Sequence, residues 1–193
     1  MQAMKRALLC GVLMTAAAAL AQHAPAEKTT PIAEVSVMYS VERTKVIGTD
    51  SAWLQGGSGE FAVPLYRNLG VALNVTGARN GDLGAGRGSF SKVAFVAGPR
   101  YTLSVRQFRV YGEALFGGVH GFDATFPAIY GANTSANAFA MQAGGGLDMD
   151  WKRHIAIRAV EASYVRTQLP NGGNNTQNDL RLTTGIVLRI PVY

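Results

Sequence analysis

The last stretch of the chain, Asn178–Tyr193, leaves few folds open. Leu180, Leu182, Ile186, Leu188 and Ile190 share one parity, while Arg181, Thr183, Gly185 and Arg189 take the other. Successive side chains of a strand point to opposite faces, so this segment reads as a strand with one apolar and one charged face. A soluble sheet could carry the same alternation. Here it recurs over most of the chain and meets almost no helix-like segment.

The front of the chain sets the compartment. Met1–Ala21 carries Lys5 and Arg6, then the apolar run Ala7–Leu20, then Ala19-Leu20-Ala21, an A-x-A-type cleavage site. This is the layout of a secretory signal peptide. The apolar run is short of the roughly 20 residues a spanning helix needs. Cys10, the only cysteine, lies inside the signal and leaves with it, which excludes disulfides and thiol chemistry from the mature chain. Cleavage after Ala21 leaves 172 of the 193 residues, a one-domain size, and lowers the net charge from +6 to +4. The residual basic excess is spread out, with no Lys/Arg block of the kind that tracks nucleic acid. After the signal no apolar run approaches the ~18 residues of a transmembrane helix.

The domain reading is residues 1–21 signal peptide, 22–31 polar lead-in and 32–193 one β domain. Alternation predicts eight strands: Ala33–Arg43, Ala52–Val63, Leu69–Arg79, Ser89–Val105, Phe108–Phe122, Ala136–Asp150, His154–Thr167 and the final strand from Asn178. Several exceed the roughly 9–11 residues that cross a bilayer at a tilt. Pro99 cannot donate to a ladder, so a bulge or bend is expected there. In His154–Thr167 the apolar parity switches near Arg158–Val160, which predicts a β-bulge. Connections after the second, fourth and sixth strands are tight: Pro64–Asn68, Arg106-Gln107 and Trp151–Arg153. Those after the first, third, fifth and seventh are longer and polar: Lys45–Ser51, Asn80–Gly88, Asp123–Ser135 and Leu169–Gln177. Short periplasmic turns alternating with longer outer loops are the rhythm of an even-stranded outer-membrane barrel.

The fold class read from this pattern is all-β: an eight-stranded antiparallel up-and-down transmembrane β-barrel. A charge facing lipid near mid-bilayer costs about 2–4 kcal/mol for Arg or Lys. Glu34, Glu60, Lys92, Arg100, Glu113, Asp148, Arg181 and Arg189 all sit opposite the apolar parity, so they are expected to point into the lumen as a charge network. Arg158 and Glu161 join it only if the bulge resets the register. An eight-stranded barrel is just wide enough for side chains to fill its interior, so opposite charges there should pair and close the path.

Phe95-Val-Ala-Gly-Pro-Arg-Tyr101, Tyr111-Gly-Glu-Ala-Leu-Phe-Gly-Gly-Val-His120 and Ala143-Gly-Gly-Gly-Leu-Asp148 resemble the bacterial outer-membrane β-barrel domain family, small eight-stranded barrels related to outer membrane protein A. The resemblance spans roughly Pro31 to Ile190. It implies the fold, outer-membrane lipid as surroundings and insertion by the barrel-assembly machinery. It implies no common reaction, so neither catalytic residues nor a cofactor are expected.

Other motifs read more plainly. His120 and His154 fall at opposite ends of the barrel, too far apart for a shared metal site, and no metal is expected. His120 with Asp123 and a loop serine could suggest a hydrolase triad, but a solvated rim histidine is the simpler reading. Gly84–Gly88 lacks the spacing and the following helix of a phosphate loop. Asn133-Thr-Ser135 and Asn174-Asn-Thr176 are ordinary loop polarity. Tyr39, Trp53, Tyr101, Trp151 and Tyr164 fit interfacial girdles. The competing function is a secreted soluble β-barrel that binds an apolar ligand in its interior, with Arg100, Glu113 and Arg181 outward; an outer-membrane enzyme is third.

Overall fold

A computed structural model describes residues 32–45, 51–81, 89–128, 131–171 and 174–191. The signal peptide with its cleavage site and Cys10, the lead-in before Ile32, Gly84–Gly88 and Tyr193 lie outside the described residues. Eight antiparallel strands close into a barrel in which each pairs with its neighbours in sequence and the last with the first. They are β1 (Ile32–Lys45), β2 (Ser51–Tyr66), β3 (Leu69–Asn80), β4 (Phe90–Val105), β5 (Phe108–Ala128), β6 (Gly131–Lys152), β7 (Ile155–Thr167) and β8 (Gln177–Pro191). Closure leaves the ring of strands without a free edge, so its backbone polar groups find partners within the sheet.

Alternation decides which way the wall faces. In β3, Leu69, Val71, Leu73 and Val75 are exposed while Ala72, Asn74 and Thr76 are buried. In β8, Leu180, Leu182, Ile186, Leu188 and Ile190 are exposed while Asp179, Arg181, Thr183 and Arg189 are buried. Val37 is 71% exposed and Phe95 54%, whereas Glu60 and Arg100 are each 3% exposed. Apolar side chains therefore cover the outside and charges fill the inside, the reverse of what an interior apolar-ligand site requires. Leaving each such Val, Leu or Phe in water would forgo about 1.5–3 kcal/mol. A continuous belt of them requires an apolar surrounding.

Tight turns at Arg67-Asn68, Arg106-Gln107 and Arg153-His154 connect strands at one end. Each is tied to the next strand along. Asn68 O accepts from Thr102 N at 2.8 Å, Gln107 O from Asp150 N at 2.8 Å, and His154 O from Arg189 N at 2.9 Å. Two of these turns differ from the sequence reading. β2 runs through Pro64 and Leu65 to Tyr66, and β6 runs through Trp151 to Lys152, so the turns fall at residues 67–68 and 153–154. Pro64 sits at an irregularity in the β2–β3 ladder, where its missing N–H is tolerated.

The expected bulge at Pro99 is absent. Ala97 pairs with Phe116 and Arg100 with Glu113 in the same register, so no residue is inserted. The β5 backbone closes in at Gly98 instead, where an added Cβ would run into the Ala114 carbonyl oxygen. The bulge in β7 is present: the β7–β8 register shifts between Arg158 and Glu161.

The largest departure is the β5–β6 connection. Asp123–Ser135 reads as a polar loop, yet both strands continue through it, separated only by residues 129–130. The two strands have 21 and 22 residues, against 12–16 in the others, and the hairpin runs on past the ends of its neighbours, β4 pairing with β5 only as far as Phe122 and β7 with β6 only from Ala140. Its register shifts between Phe122 and Phe126, where Asp123 takes φ 59°. That irregularity re-aims Phe126 inward, edge-on to Phe90 at 6.3 Å between ring centroids.

Candidate functional site: the barrel lumen

The interior is polar in the middle and apolar at the mouth away from the short turns. Nearest the turns, Glu34 on β1 accepts from Arg109 Nη1 at 3.0 Å and from Arg189 Nε at 3.1 Å. Arg189 also pairs with the half-exposed Asp150.

The centre is built around two guanidiniums. Arg100 on β4 lies opposite Glu113 on β5 in register, and its Nε donates to Glu113 Oε2 at 2.9 Å. Its Nη2 reaches Glu60 Oε1 at 2.5 Å. Arg158 is 0% exposed. It forks onto Asp148, with Nε–Oδ1 2.9 Å and Nη2–Oδ2 3.3 Å, and its Nη1 meets Glu60 at 2.8 Å and Glu161 at 2.9 Å. The β7 bulge makes this possible. One extra residue leaves Ala159 and Val160 both exposed and turns Arg158 and Glu161 both inward.

Tyr111 links the two arginines. Arg100 Cζ lies 4.1 Å and Arg158 Cζ 4.5 Å from its ring centroid, and its hydroxyl donates to Glu161 Oε2 at 2.6 Å. Cations against an aromatic face in a desolvated site add stabilisation of about 2 kcal/mol or more. The ring needs Gly146 beside it on β6, where an added Cβ would lie 2.6 Å from the Tyr111 hydroxyl oxygen. Gln142 donates to Glu113 at 3.1 Å, and Asn74 donates to Glu60 at 3.2 Å.

Closer to the mouth, Lys92 on β4 pairs with Glu42 on β1 and with Asp179 on β8 at 3.0 Å. Arg181 donates to Gln142. Beside and above this lies an apolar cluster that includes Val96, Leu115, Val119, Phe126 and Leu169, with Phe90 packed against it. Leu169, in the β7–β8 connection, is held by Gln177, which accepts from its N–H at 3.1 Å and donates to its carbonyl at 2.9 Å.

All eight residues expected in the lumen are buried there: Glu34, Glu60, Lys92, Arg100, Glu113, Asp148, Arg181 and Arg189. Arg181 is the one for which the contact is an amide rather than a carboxylate. Sequence reasoning left Glu42, Asp179, Arg109 and Asp150 out of the charge network, although all four share the inward parity and could have been found by it. It also missed that the mouth is apolar. Among the described residues seven carboxylates and five cations are buried, so the lumen is acid-rich.

Glu60, Glu113 and Glu161 bring carboxylate oxygens within 4.8 Å of one another, a spacing that could hold a metal ion. Arg100, Arg158 and Tyr111 already occupy those oxygens. His120 is exposed, contacts Asn137 Oδ1 at 2.6 Å and stacks on Phe122. Asp123 instead accepts from Ser91 at 2.9 Å, so the three groups of a hydrolase triad are not assembled. His154 lies in the turn at the other end. Tyr39, Trp53, Tyr101, Trp151 and Tyr164 all face outward.

Ail, the attachment invasion locus protein of Yersinia pestis, matches with 20% identity and a TM-score of 0.59 over 84% of this chain and 100% of its own. Neisserial surface protein A matches with 12% identity and a TM-score of 0.62 over 82% of this chain and 97% of its own. The fold is that of the small eight-stranded outer-membrane β-barrels. The outer membrane protein OprG from Pseudomonas aeruginosa shares it, with 10% identity and a TM-score of 0.54 over 86% of this chain and 98% of its own. Ail has also been crystallised in complex with the heparin analogue sucrose octasulfate. No family model matches the chain, and no curated protein does.

Proposed function

We propose that this protein is an integral outer-membrane barrel with a structural or adhesin-like role in the envelope of a Gram-negative bacterium. Its lumen is closed, its conductance is low and it carries out no catalysis. After signal-peptide cleavage the barrel-assembly machinery inserts it, and outer-membrane lipid is its solvent. The observation that carries the reading is the arrangement of the two faces, with an apolar outside and a paired, packed inside. Glu34, Glu60, Lys92, Arg100, Glu113, Asp148, Arg181 and Arg189, with Arg158 at their centre, form the plug. Phe90, Phe126 and Leu169 close the mouth above it. The adhesin-like element rests on the long β5–β6 hairpin, whose outer residues 131–135 are all exposed.

Planar-bilayer recording of the refolded mature chain tests the closed lumen. The expected result is no large, stable open level in the wild type, with any residual leak favouring cations because the lumen is acid-rich. A large, stable conductance would make the protein a pore.

A further inference from the structure

Three arginines interrupt the apolar outer wall. Arg43, Arg79 and Arg166 lie on the outward parity of β1, β3 and β7, above Tyr39, Val75 and Tyr164 respectively. All three are exposed, at the strand ends farthest from the short turns. None has a described carboxylate within ion-pair distance.

The ladder registers bring them to one level. Arg166 pairs with Asn178 on β8, while Arg43 pairs with Leu180, two residues further down that strand. Arg43 pairs with Trp53 on β2, while Arg79 pairs with Gln55, again two residues further down. Each arginine is thus two residues nearer the short-turn end than the ladder row through the one before. Strand tilt carries a level line the same way. The row through Leu69, at the foot of β3, meets Tyr101, well above the Arg106-Gln107 turn at the foot of β4. The three guanidiniums therefore form an arc around one side of the rim.

The surroundings mark the headgroup level. Arg43 lies 6.0 Å over the Trp53 ring, and the Tyr39 and Tyr164 hydroxyls are bound by Gln55 and Asn178 at 3.0 and 2.6 Å. Such aromatics belong at the membrane–water interface, and a lipid-facing arginine is tolerated only near it. A planar guanidinium with no described carboxylate beside it is suited to bidentate contact with phosphate.

We propose that Arg43, Arg79 and Arg166 bind the phosphate groups of outer-leaflet lipid headgroups. The inference rests on the outer-membrane reading above and adds a specific lipid contact to it.

The test uses the refolded mature chain in neutral phospholipid nanodiscs, titrated with fluorescent lipopolysaccharide. The variants are R43Q/R79Q/R166Q and, as a control at the opposite rim, R67Q/R106Q. A heat-modifiable gel shift checks that each variant is folded. The expected result is binding about a hundredfold weaker in the triple variant, roughly a factor of five per cation. The control should bind like the wild type, salt should weaken binding, and dephosphorylated lipopolysaccharide should bind poorly to the wild type. Equal binding by the triple variant, equal loss in the control, or full binding of the dephosphorylated lipid would overturn the proposal. A wild type that inserts but ignores lipopolysaccharide sinks this inference alone. One that fails to insert sinks the barrel reading.

Discussion

Replacing Arg158 by methionine removes the charge at the centre of the lumen while keeping most of the side chain's length. Glu60 would keep Arg100 and Asn74, and Glu161 would keep Tyr111 and Ser163. Asp148 would lose both hydrogen bonds that Arg158 donates to it, and it is only 1% exposed. The destabilisation is therefore dominated by one buried carboxylate left without its cation. Breaking a buried pair from one side costs about 3–5 kcal/mol, and lost contact with the Tyr111 face adds to it, while water entering the lumen subtracts. We expect about 3 kcal/mol from urea unfolding in lipid vesicles, followed by the fluorescence of Trp53 and Trp151. The double variant R158M/D148N should recover about 1–2 kcal/mol, because the orphaned charge is gone. The exposed control R153Q should stay within about 0.5 kcal/mol of the wild type. A loss below about 1 kcal/mol for R158M, with an unchanged denaturant slope, would refute the idea that the central ion pairs hold the lumen together.

Two further substitutions probe the outside and the packing. Phe95→Arg places a cation on the outward face of β4 and should cost about 2–4 kcal/mol or block assembly, read by the heat-modifiable gel shift; normal assembly and stability would mean that Phe95 does not meet lipid. Gly146→Ala forces a methyl against the Tyr111 hydroxyl and should cost about 1–3 kcal/mol by the same unfolding assay, with Tyr111→Phe in the same chain relieving part of it.

Much of the barrel is legible because a bilayer enforces alternation. Wherever a strand crosses, one parity must be apolar, so Leu69–Val75 and Leu180–Ile190 declare their faces. The same constraint exposes the β7 bulge: Ile155 and Ile157 cannot share an outer face with Val160 and Tyr164 unless a residue is inserted between them. Outside the bilayer that constraint ends. Residues 131–135 have water on both sides, need no alternation, and their Gly, Asn, Thr and Ser composition reads as loop although they form a strand. Partner choice in the lumen is also hidden. Lys92 finds Glu42 and Asp179 at sequence separations of 50 and 87 residues, which only strand tilt and closure determine. The apolar mouth escaped notice because Leu115 and Val119 carry the parity of Glu113, a parity read as polar throughout.

The orientation of the two faces in a bilayer is the claim from which the rest follows. Spin labels on single cysteines test it most directly, and residues 22–193 contain no cysteine of their own. Labels at Val93, Phe95 and Ala97 should be reached by oxygen dissolved in the lipid, whereas labels at Ala94 and Val96 should be shielded from it inside the barrel. Lipid accessibility at residues 94 and 96, with 93, 95 and 97 protected, would contradict the account.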